Sequence, residues 1–445
     1  MSGGEVAVIG LGRSGAAATR LLRRAETPVY ASDAGDSAGL QAVAEELRAL
    51  GAAVQLGGHD TARVARAALC VVSPGVPPDA PPLLAARRAE VPIRAEAELG
   101  LQAMPEVGVI AVTGTNGKST TTALVGHLLG HAGYRAIAAG NLGTPLSDVA
   151  LLPVRPEWLA VELSSFQLHD MKELRPAVGV LTNLAPDHLD RYANLAEYYA
   201  DKRRLFLHAV AESVWVSNAD DPPSRAMLSD VPGRQLRFSV AGQADGWYDR
   251  ATDQLMIGGT ALLPRRELGL LGDHNVANAL AAVLAVHATG ADLGALAEGL
   301  RSFAALPHRM EPVGEVDGVR WINDSKATNI ASTEVAVAAL PQRFVLLLGG
   351  RHKGEPYTRL GGLLRGRCRA VIAYGEAKPI ILADLAGAGV PLVEGGGRFD
   401  EVMAQARALA QPGDAVLLSP ACSSYDMFHN YEERGARFRE TVQSW

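Results

Sequence analysis

The chain has 445 residues, 48% hydrophobic and 20% charged, with a formal net charge of −6. That length allows two to four cores, and the acidic balance argues against nucleic acid or an anionic membrane as the main partner. No apolar run reaches the roughly 20 residues that span a bilayer, "MSGGEVAVIG" lacks the features of a secretory signal, and three scattered cysteines (Cys70, Cys368, Cys422) indicate neither disulfides nor zinc. A soluble, reduced, cytoplasmic protein is expected.

Short β-branched runs alternate with Ala/Leu-rich segments at helical spacing, the pattern of βα units on parallel sheets, so an α/β fold is expected. Three blocks are predicted, at 1–99, 100–304 and 305–445. The first opens with the strand "EVAVIG" and the turn "GLGRSG" (Gly10, Gly12, Gly15), and Asp33 ends the next strand. This is the spacing of a dinucleotide-binding fingerprint. It suits NAD(P), or a Rossmann-like domain holding another nucleotide such as a UDP group, and nothing downstream looks like hydride chemistry. "SPG", Ser73 to Gly75, would add backbone donors at the same crevice, or is simply a turn.

The second block begins with the strand "VGVIAVT" and the loop "GTNGKST". The common phosphate loop carries a glycine five places before its Gly-Lys pair, and here that place holds Val112. The small residues and the amides of the following helix N-terminus still favour an anion. Lys118 is expected at the β/γ-phosphates and Ser119 or Thr120 at Mg2+, making this a nucleoside triphosphate site. The helix should run from Ser119 to about Ala132 and stop at Gly133.

Two further strands, "EWLAVEL" and "VGVLTNL", place Glu162 and then Asp187, His188 and Asp190 near their C-terminal ends, where ligands collect in open α/β sheets. Glu162 and His188 are candidate Mg2+ ligands. A helix should start at Asn194 with Glu197 completing a capping box, leaving Lys202 about two turns inside it. On these grounds alone Lys202 reads as a solvated lysine. Residues 235–263 read as short strands, and the block closes on the helix "HNVANALAAVLAVHATG".

The third block has the strands "RFVLLLGG", "RAVIAYG" and "AVLLSP". Its loops "LPHRME", "INDSKATN" and "LSPACSSYDMF" are dense in polar groups. His308, Arg309, Asp324, Lys326, Thr328, Lys353 and Ser424 could line a cleft for an anionic substrate, such as a carboxylate-bearing amino acid. Only six of the 42 basic residues are lysine, and four of those (Lys118, Lys202, Lys326, Lys353) fall in these motifs. Such a bias keeps lysine where a planar, permanently charged guanidinium would fail.

Together "GTNGKST", "ELSSFQL", "NLAPDHLDRY", "GDHNVANALAA", "LPHRME", "NDSKATN" and "LSPACSSYDMF" resemble the Mur ligases, in order and over essentially the whole chain. They look most like the cytoplasmic members that add D-glutamate to UDP-N-acetylmuramoyl-L-alanine. The resemblance implies three domains: a Rossmann-like N-terminal domain for the UDP group, a central ATPase of the P-loop type with a parallel sheet and a small β-sheet, and a Rossmann-like C-terminal domain for the amino acid. It implies ATP, two Mg2+ ions and an acyl-phosphate intermediate that the amino group attacks. It also implies small-molecule substrates and no nucleic-acid or membrane partner; a monomer is expected.

Residue by residue, the resemblance assigns Gly114, Thr115, Asn116, Gly117, Lys118, Ser119 and Thr120 to ATP, with Asn275, Asn278, Arg309 and Asp324 at the adenine nucleotide. Ser119, Glu162 and His188 would ligate Mg2+, together with Lys202 as a CO2-derived carbamate. A carbamate forms only on a deprotonated amine, which excludes arginine and overrides the solvated reading of Lys202. Arg13, Ser14, Asp33, Ser73 and Gly75 would meet the uridine diphosphate, Asn141 and His308 the rest of that substrate, and Lys326, Thr328, Lys353, Ser424 and Tyr431 the D-glutamate. Two positions depart from the family's habit: Asp201 stands where alanine usually precedes the modified lysine, and Tyr431 where phenylalanine is common. Rival readings are a sister ligase for another amino acid, a folylpolyglutamate synthetase, an NAD(P)-binding oxidoreductase and a nucleotide-gated binding protein. The "DNPR"-like stretch of diamino-acid ligases is absent, and folylpolyglutamate synthetases do not share "LSSFQL" and "SPACSS".

Overall fold

The computed structural model describes residues 4–188 and 191–445. The chain forms two compact units, Met1–Pro264 with Ala277–Leu300, and Arg265–Val276 with Arg301–Trp445. Among the described residues no helix is long and apolar enough to cross a membrane, and all three cysteines are buried and free.

The first unit holds two sheets. The first sheet comprises β1 (Val6–Ile9), β2 (Val29–Ser32), β3 (Ala53–Gln55), β4 (Leu69–Val72) and β5 (Ile93–Ala95). They run in the order β3-β2-β1-β4-β5 and every pairing is parallel. Side chains alternate across a strand, so Val6 and Val8 enter one core while Ala7 and Ile9 enter another. Apolar residues on both faces are what a parallel sheet covered by helices requires.

The second sheet comprises β6 (Gly108–Thr113), β7 (Ala136–Gly140), β8 (Trp158–Glu162), β9 (Val178–Leu181), β10 (Val214–Asn218), β11 (Arg234–Ser239), β12 (Gly246–Asp249), β13 (Gln254–Ile257) and β14 (Thr260–Pro264). Their order is β14-β13-β12-β11-β10-β9-β6-β8-β7, with the last two hairpin pairings antiparallel. Of the short strands expected over 235–263, β11 continues the parallel sheet and β12 to β14 form its antiparallel margin. Val112 lies within β6, paired with Glu162 and Val180 and fully buried. The missing glycine of the phosphate loop is thus a strand residue, and the loop proper begins at Gly114.

The helix Glu96–Gln102 straps the two sheets together. Ser147 N–H donates to Glu96 Oε1 at 2.7 Å, and the N–H groups of Lys172 and Glu173 both donate to Glu98 Oε1 at 2.6 Å. Gly100 packs so closely on the neighbouring helix that a Cβ would lie 2.5 Å from the Leu146 carbonyl carbon. Burial pushes the Glu96 carboxyl up from 4.5 to about 7, against the opposing pull of its bonds to Ser147. A carboxyl whose folded pKa is raised takes up a proton on folding, so its contribution falls as pH rises from about 4.5 to 7 and stays low above. Glu96→Gln, which mimics the protonated form, is expected to raise the melting temperature at pH 8 and to change it little at pH 5. Thermal melts across that range check it; a loss of stability at pH 8 would contradict the expectation.

The second unit carries β15 (Glu311–Val316), β16 (Val319–Asn323), β17 (Phe344–Gly349), β18 (Cys368–Tyr374), β19 (Leu392–Glu394) and β20 (Ala415–Leu418). The order is β15-β16-β20-β17-β18-β19, parallel except for the β15–β16 hairpin. Strand order reverses around β20 and β17, so the loops after β16, β20 and β17 open at one end of the sheet.

Candidate active site

The phosphate loop follows β6 and feeds the helix Lys118–His131, one residue earlier than the sequence spacing suggested. Gly114 has φ +142° and Gly117 φ +82°, both in the region that disfavours side chains. A Cβ at Gly114 would stand 2.0 Å from Thr182 Oγ1, and one at Gly117 would stand 2.4 Å from Asn278 Oδ1. Asn183, just beyond β9, braces the loop: its carbonyl accepts from Thr115 N–H at 2.9 Å, its Oδ1 from Asn116 N–H at 3.0 Å, and its Nδ2 donates to Asn116 O at 3.0 Å. Lys118 Nζ curls back to donate to Gly114 O (3.0 Å) and Thr115 O (2.7 Å). Ser119 and Thr120 are buried in the first turn. Thr121 Oγ1 donates to Asn278 Oδ1 at 3.3 Å, tying the helix Asp273–His287 to the loop.

Lys202 is 1% exposed. Its helix, Leu195–Arg203, starts at the expected cap, with Glu197 N–H donating to Asn194 Oδ1 at 3.0 Å. Lys202 Nζ donates to Gly114 O at 2.6 Å and lies 4.6 Å from the centre of the Tyr198 ring. Burial, reinforced by the Lys118 charge, holds this amine well below the usual lysine range, although Asp187, Glu162 and Asp201 oppose the shift. Two lysines thus converge on one carbonyl oxygen at the mouth of the phosphate loop.

Glu162 ends β8 and is 2% exposed, its Oε1 accepting from Asn141 Nδ2 at 2.7 Å. Asn141 N–H donates to Glu162 O at 2.9 Å, so the loop after β7 is pinned beside the end of β8. His188 adopts φ +54°, with its backbone N–H donating to Asp187 Oδ1 at 2.9 Å and its ring edge-on to Phe166, centroids 4.9 Å apart. Asp190 lies outside the described residues.

Asp201, the residue that departs from the family's alanine, faces away from the phosphate loop. Its carboxylate accepts from Tyr192 OH at 3.0 Å and Arg204 Nε at 3.1 Å, and it pairs with His169 Nδ1 at 2.9 Å. Burial pushes this carboxyl up, but those partners outweigh it and leave the group below the usual range.

In the first sheet, Asp33 Oδ2 accepts from Leu11 N–H at 2.6 Å and Oδ1 from Gly35 N–H at 2.8 Å. Ser73 Oγ donates to Gly10 O at 2.8 Å, closing the crevice between β1 and β4. Arg13 and Ser14 open the helix Arg13–Arg24 at that crevice, and Gly75 is exposed. Arg191 joins this edge to the second sheet. Its guanidinium lies 3.8 Å from the Phe166 ring centre and donates to Pro74 O (3.2 Å) and Val76 O (2.6 Å). A cavity of about 310 Å3 opens beside it, lined in part by Ser73, Phe166, Gln167, Arg191 and Asp201.

In the second unit, Lys353 Nζ donates to Thr328 Oγ1 at 3.3 Å, and the Lys326 ammonium lies 4.9 Å from the Tyr431 ring centre. Ser424 is buried. His308 has φ +63° and its Nδ1 accepts from Asn323 Nδ2 at 3.0 Å; burial lowers its pKa. Asp324 is buried, accepting from Ser419 Oγ at 2.8 Å and from Met310 N–H at 3.1 Å, and burial pushes its carboxyl up to about 7. Arg309 precedes Met310 on the same turn. Asn275 Nδ2 donates to Leu271 O at 2.8 Å.

Three family profiles cover most of the chain: "Mur ligase MurD-like, N-terminal domain" over 4–95, "Mur ligase middle domain" over 112–286 and "Mur ligase, glutamate ligase domain" over 308–422. A curated protein from Myxococcus xanthus named UDP-N-acetylmuramoylalanine–D-glutamate ligase is 40% identical over 454 aligned residues, covering 100% of this chain and 99% of that protein. The chain belongs to the Mur ligase family. A protein of the same name from Anaeromyxobacter dehalogenans is 42% identical, with 99% and 97% of the two chains covered. Among solved Mur ligases, the UDP-N-acetylmuramate-alanine ligase MurC from Thermotoga maritima superposes with a TM-score of 0.64 at 19% identity over 99% of each chain. MurF from the same organism, solved with ADP, gives 0.62 at 17% identity over 94% and 95%; at such identities the likeness speaks for the fold.

Within this Mur ligase the sequence reading passed over Asn183, Tyr198 and Arg191. Asn183 stands inside "TNLAPDH", next to Thr182 at a strand end, and that place is its one signal in the sequence. Arg191 carried no such signal, because its partners are backbone carbonyls from a distant strand end.

Proposed function

We propose that the chain uses ATP to join D-glutamate to UDP-N-acetylmuramoyl-L-alanine through an acyl phosphate, releasing ADP and phosphate, as a step in peptidoglycan precursor synthesis. The observation that carries this reading is the likeness, at 40% identity and over the full chain, to a protein named for that reaction. The geometry supports it: a braced phosphate loop, a buried lysine of lowered pKa on the loop's first carbonyl, and a carboxylate at the adjoining strand end.

Gly114 to Thr120 would cradle the triphosphate with backbone amides, and Lys118 would leave its two carbonyl partners for the β/γ-phosphates. Asn275, Asn278, Arg309 and Asp324 would hold the adenine nucleotide. The donor set Ser119, Glu162, His188 and Lys202 as a carbamate fits two Mg2+ ions by chemistry, being mostly oxygen and almost fully buried apart from the imidazole. When bound, the ions would neutralise charge on the phosphates. Arg13, Ser14, Asp33, Ser73 and Gly75 would position the uridine diphosphate, Asn141 and His308 the remainder of that substrate, and Lys326, Thr328, Lys353, Ser424 and Tyr431 the incoming D-glutamate. Orientation of the amine toward the activated carboxyl supplies much of the rate in such transfers.

The blocks 1–99, 100–304 and 305–445 serve as the three domains of this reading, and a cytoplasmic monomer is part of it. Phosphate release from ATP, with UDP-N-acetylmuramoyl-L-alanine and a panel of amino acids, tests the assignment. Activity is expected with D-glutamate and not with L-glutamate or a diamino acid. Equal use of both glutamate enantiomers, or preference for a diamino acid, would reject it. Light scattering in solution checks the monomer.

A further inference from the structure

Arg434 lies on the helix Tyr431–Gln443 and has no part in the roles above. Its side chain is wholly buried, an expensive place for a charge unless its donors are engaged. Nε donates to Ser325 Oγ at 2.9 Å, and Nη2 donates to Ser325 O at 2.8 Å and Cys422 O at 3.2 Å. Ser325 sits between Asp324 and Lys326 after β16, and Cys422 stands two residues before Ser424 after β20. A third loop, running from Gly350 to Lys353 after β17, is close by: a Cβ on Gly350 would lie 3.2 Å from Arg434 Nη1 and 2.2 Å from Ser423 O. Arg351 N–H donates to Ser423 O at 2.9 Å, stitching that loop to its neighbour. One guanidinium is therefore bonded to the loops after the adjacent strands β16 and β20, and the loop after β17, the next strand, is stitched to the second of these.

The same place holds polar atoms the fold does not use. Arg434 Nη1 and Asp426 Oδ1 are buried without hydrogen-bond partners. Tyr374 lies within electrostatic reach of Arg434, Cys422 and Asp426, its hydroxyl set against the Arg434 guanidinium. Gly375 links them, since a Cβ there would stand 2.3 Å from Asp426 Oδ2 and 2.9 Å from Gly350 N. A buried ion whose only role is stability can often be exchanged for apolar residues without loss. A planar fork bonded to two loops has a different use, because only a guanidinium sets three acceptors at fixed spacing.

We propose that Arg434 is the positioning residue of the amino-acid pocket, setting the spacing of the loops that carry Lys326 and Ser424, to which the loop of Lys353 is stitched, so that a dicarboxylate amino acid meets all three. The inference rests on the reading of that pocket as the D-glutamate site. The helix does related work through its neighbours: Tyr431 O accepts from Ser325 Oγ at 2.8 Å, and Gly435 leaves room for His308, whose Nδ1 a Cβ would approach to 2.1 Å.

Arg434→Lys keeps the charge and loses the fork. Initial rates with each substrate varied in turn should show KM for D-glutamate raised about tenfold or more, the scale of losing charge-assisted hydrogen bonds. KM for ATP and for UDP-N-acetylmuramoyl-L-alanine should stay near wild type. Ser325→Ala removes one acceptor with little change in volume, and a smaller rise in the same KM alone is expected. All three KM values rising together in a variant that melts like wild type, or an unchanged D-glutamate KM, would overturn the proposal. If Arg434→Lys fails to fold, Ser325→Ala decides by the same criterion. A wild-type enzyme that does not use D-glutamate would instead remove the reading on which the proposal stands.

Discussion

Lys202→Ala is expected to lose ligase activity by about a thousandfold, the scale seen when a group stabilising transition-state charge is removed, and a short-chain carboxylic acid should restore part of it. The expectation comes from three features of one amine. It is buried, it is bonded to Gly114 O at 2.6 Å, and its pKa is held down by burial and by Lys118. A lysine whose ammonium form is disfavoured spends more time as the free amine that reacts with CO2, and the product carries a carboxylate-like head into the same space. An added carboxylic acid can stand in for that head, so rescue separates this role from simple packing. Lys202→Arg should be inactive as well, and without rescue, since the guanidinium stays charged and fills the space. Full activity in Lys202→Ala, or a loss that no carboxylic acid relieves in a protein that melts normally, would reject the carbamate.

Gly114→Ala should nearly abolish ATP binding. At φ +142° a side chain is strained whatever surrounds it, at roughly 1–3 kcal/mol for the backbone alone. Space is also lacking: the new methyl would meet Thr182 Oγ1 at 2.0 Å and the backbone of Asn183 at 3.1 and 3.2 Å. Asn183 is the brace of the loop, so relief by moving it would undo the bonds that shape the phosphate cradle. Both lysines would lose the geometry of their shared acceptor. Calorimetric titration with ATP checks this, and an affinity equal to that of the wild-type protein would show that the loop has slack the structure does not reveal.

Much of the architecture could be read from local pattern. Strand and turn positions followed from β-branched runs ending in glycine, the phosphate loop from its flanks, and the helix cap at Asn194 from side-chain chemistry. The harder residues are those whose environment is set by distant partners. The helix "LAEYYADKR" buries Tyr198, Asp201 and Lys202, a polar face that any amphipathic reading turns toward solvent. Arg434 sits in "YEERGARFRE", which reads as a charged surface helix, yet it is wholly enclosed. Glu96 and Glu98 look like ordinary first-turn acids and are instead sealed against backbone N–H groups many residues away. Lys202, Glu96 and Glu98 are held by main-chain atoms, and Arg434 partly so, which leaves no trace in residue identity. Lys202 was recovered only because its neighbourhood resembled that of a known family.

The strap at Glu96–Gln102 bears on how this chain can be divided. The expected border at 99 falls inside that helix. A fragment ending there would carry Glu96 and Glu98 into water without their donors. A fragment starting at 100 would leave the N–H groups of Ser147, Lys172 and Glu173 uncapped around an empty groove. The N-terminal and central sheets should therefore be made as one polypeptide, and pieces cut at the apparent border are expected to be sticky and short-lived when expressed separately.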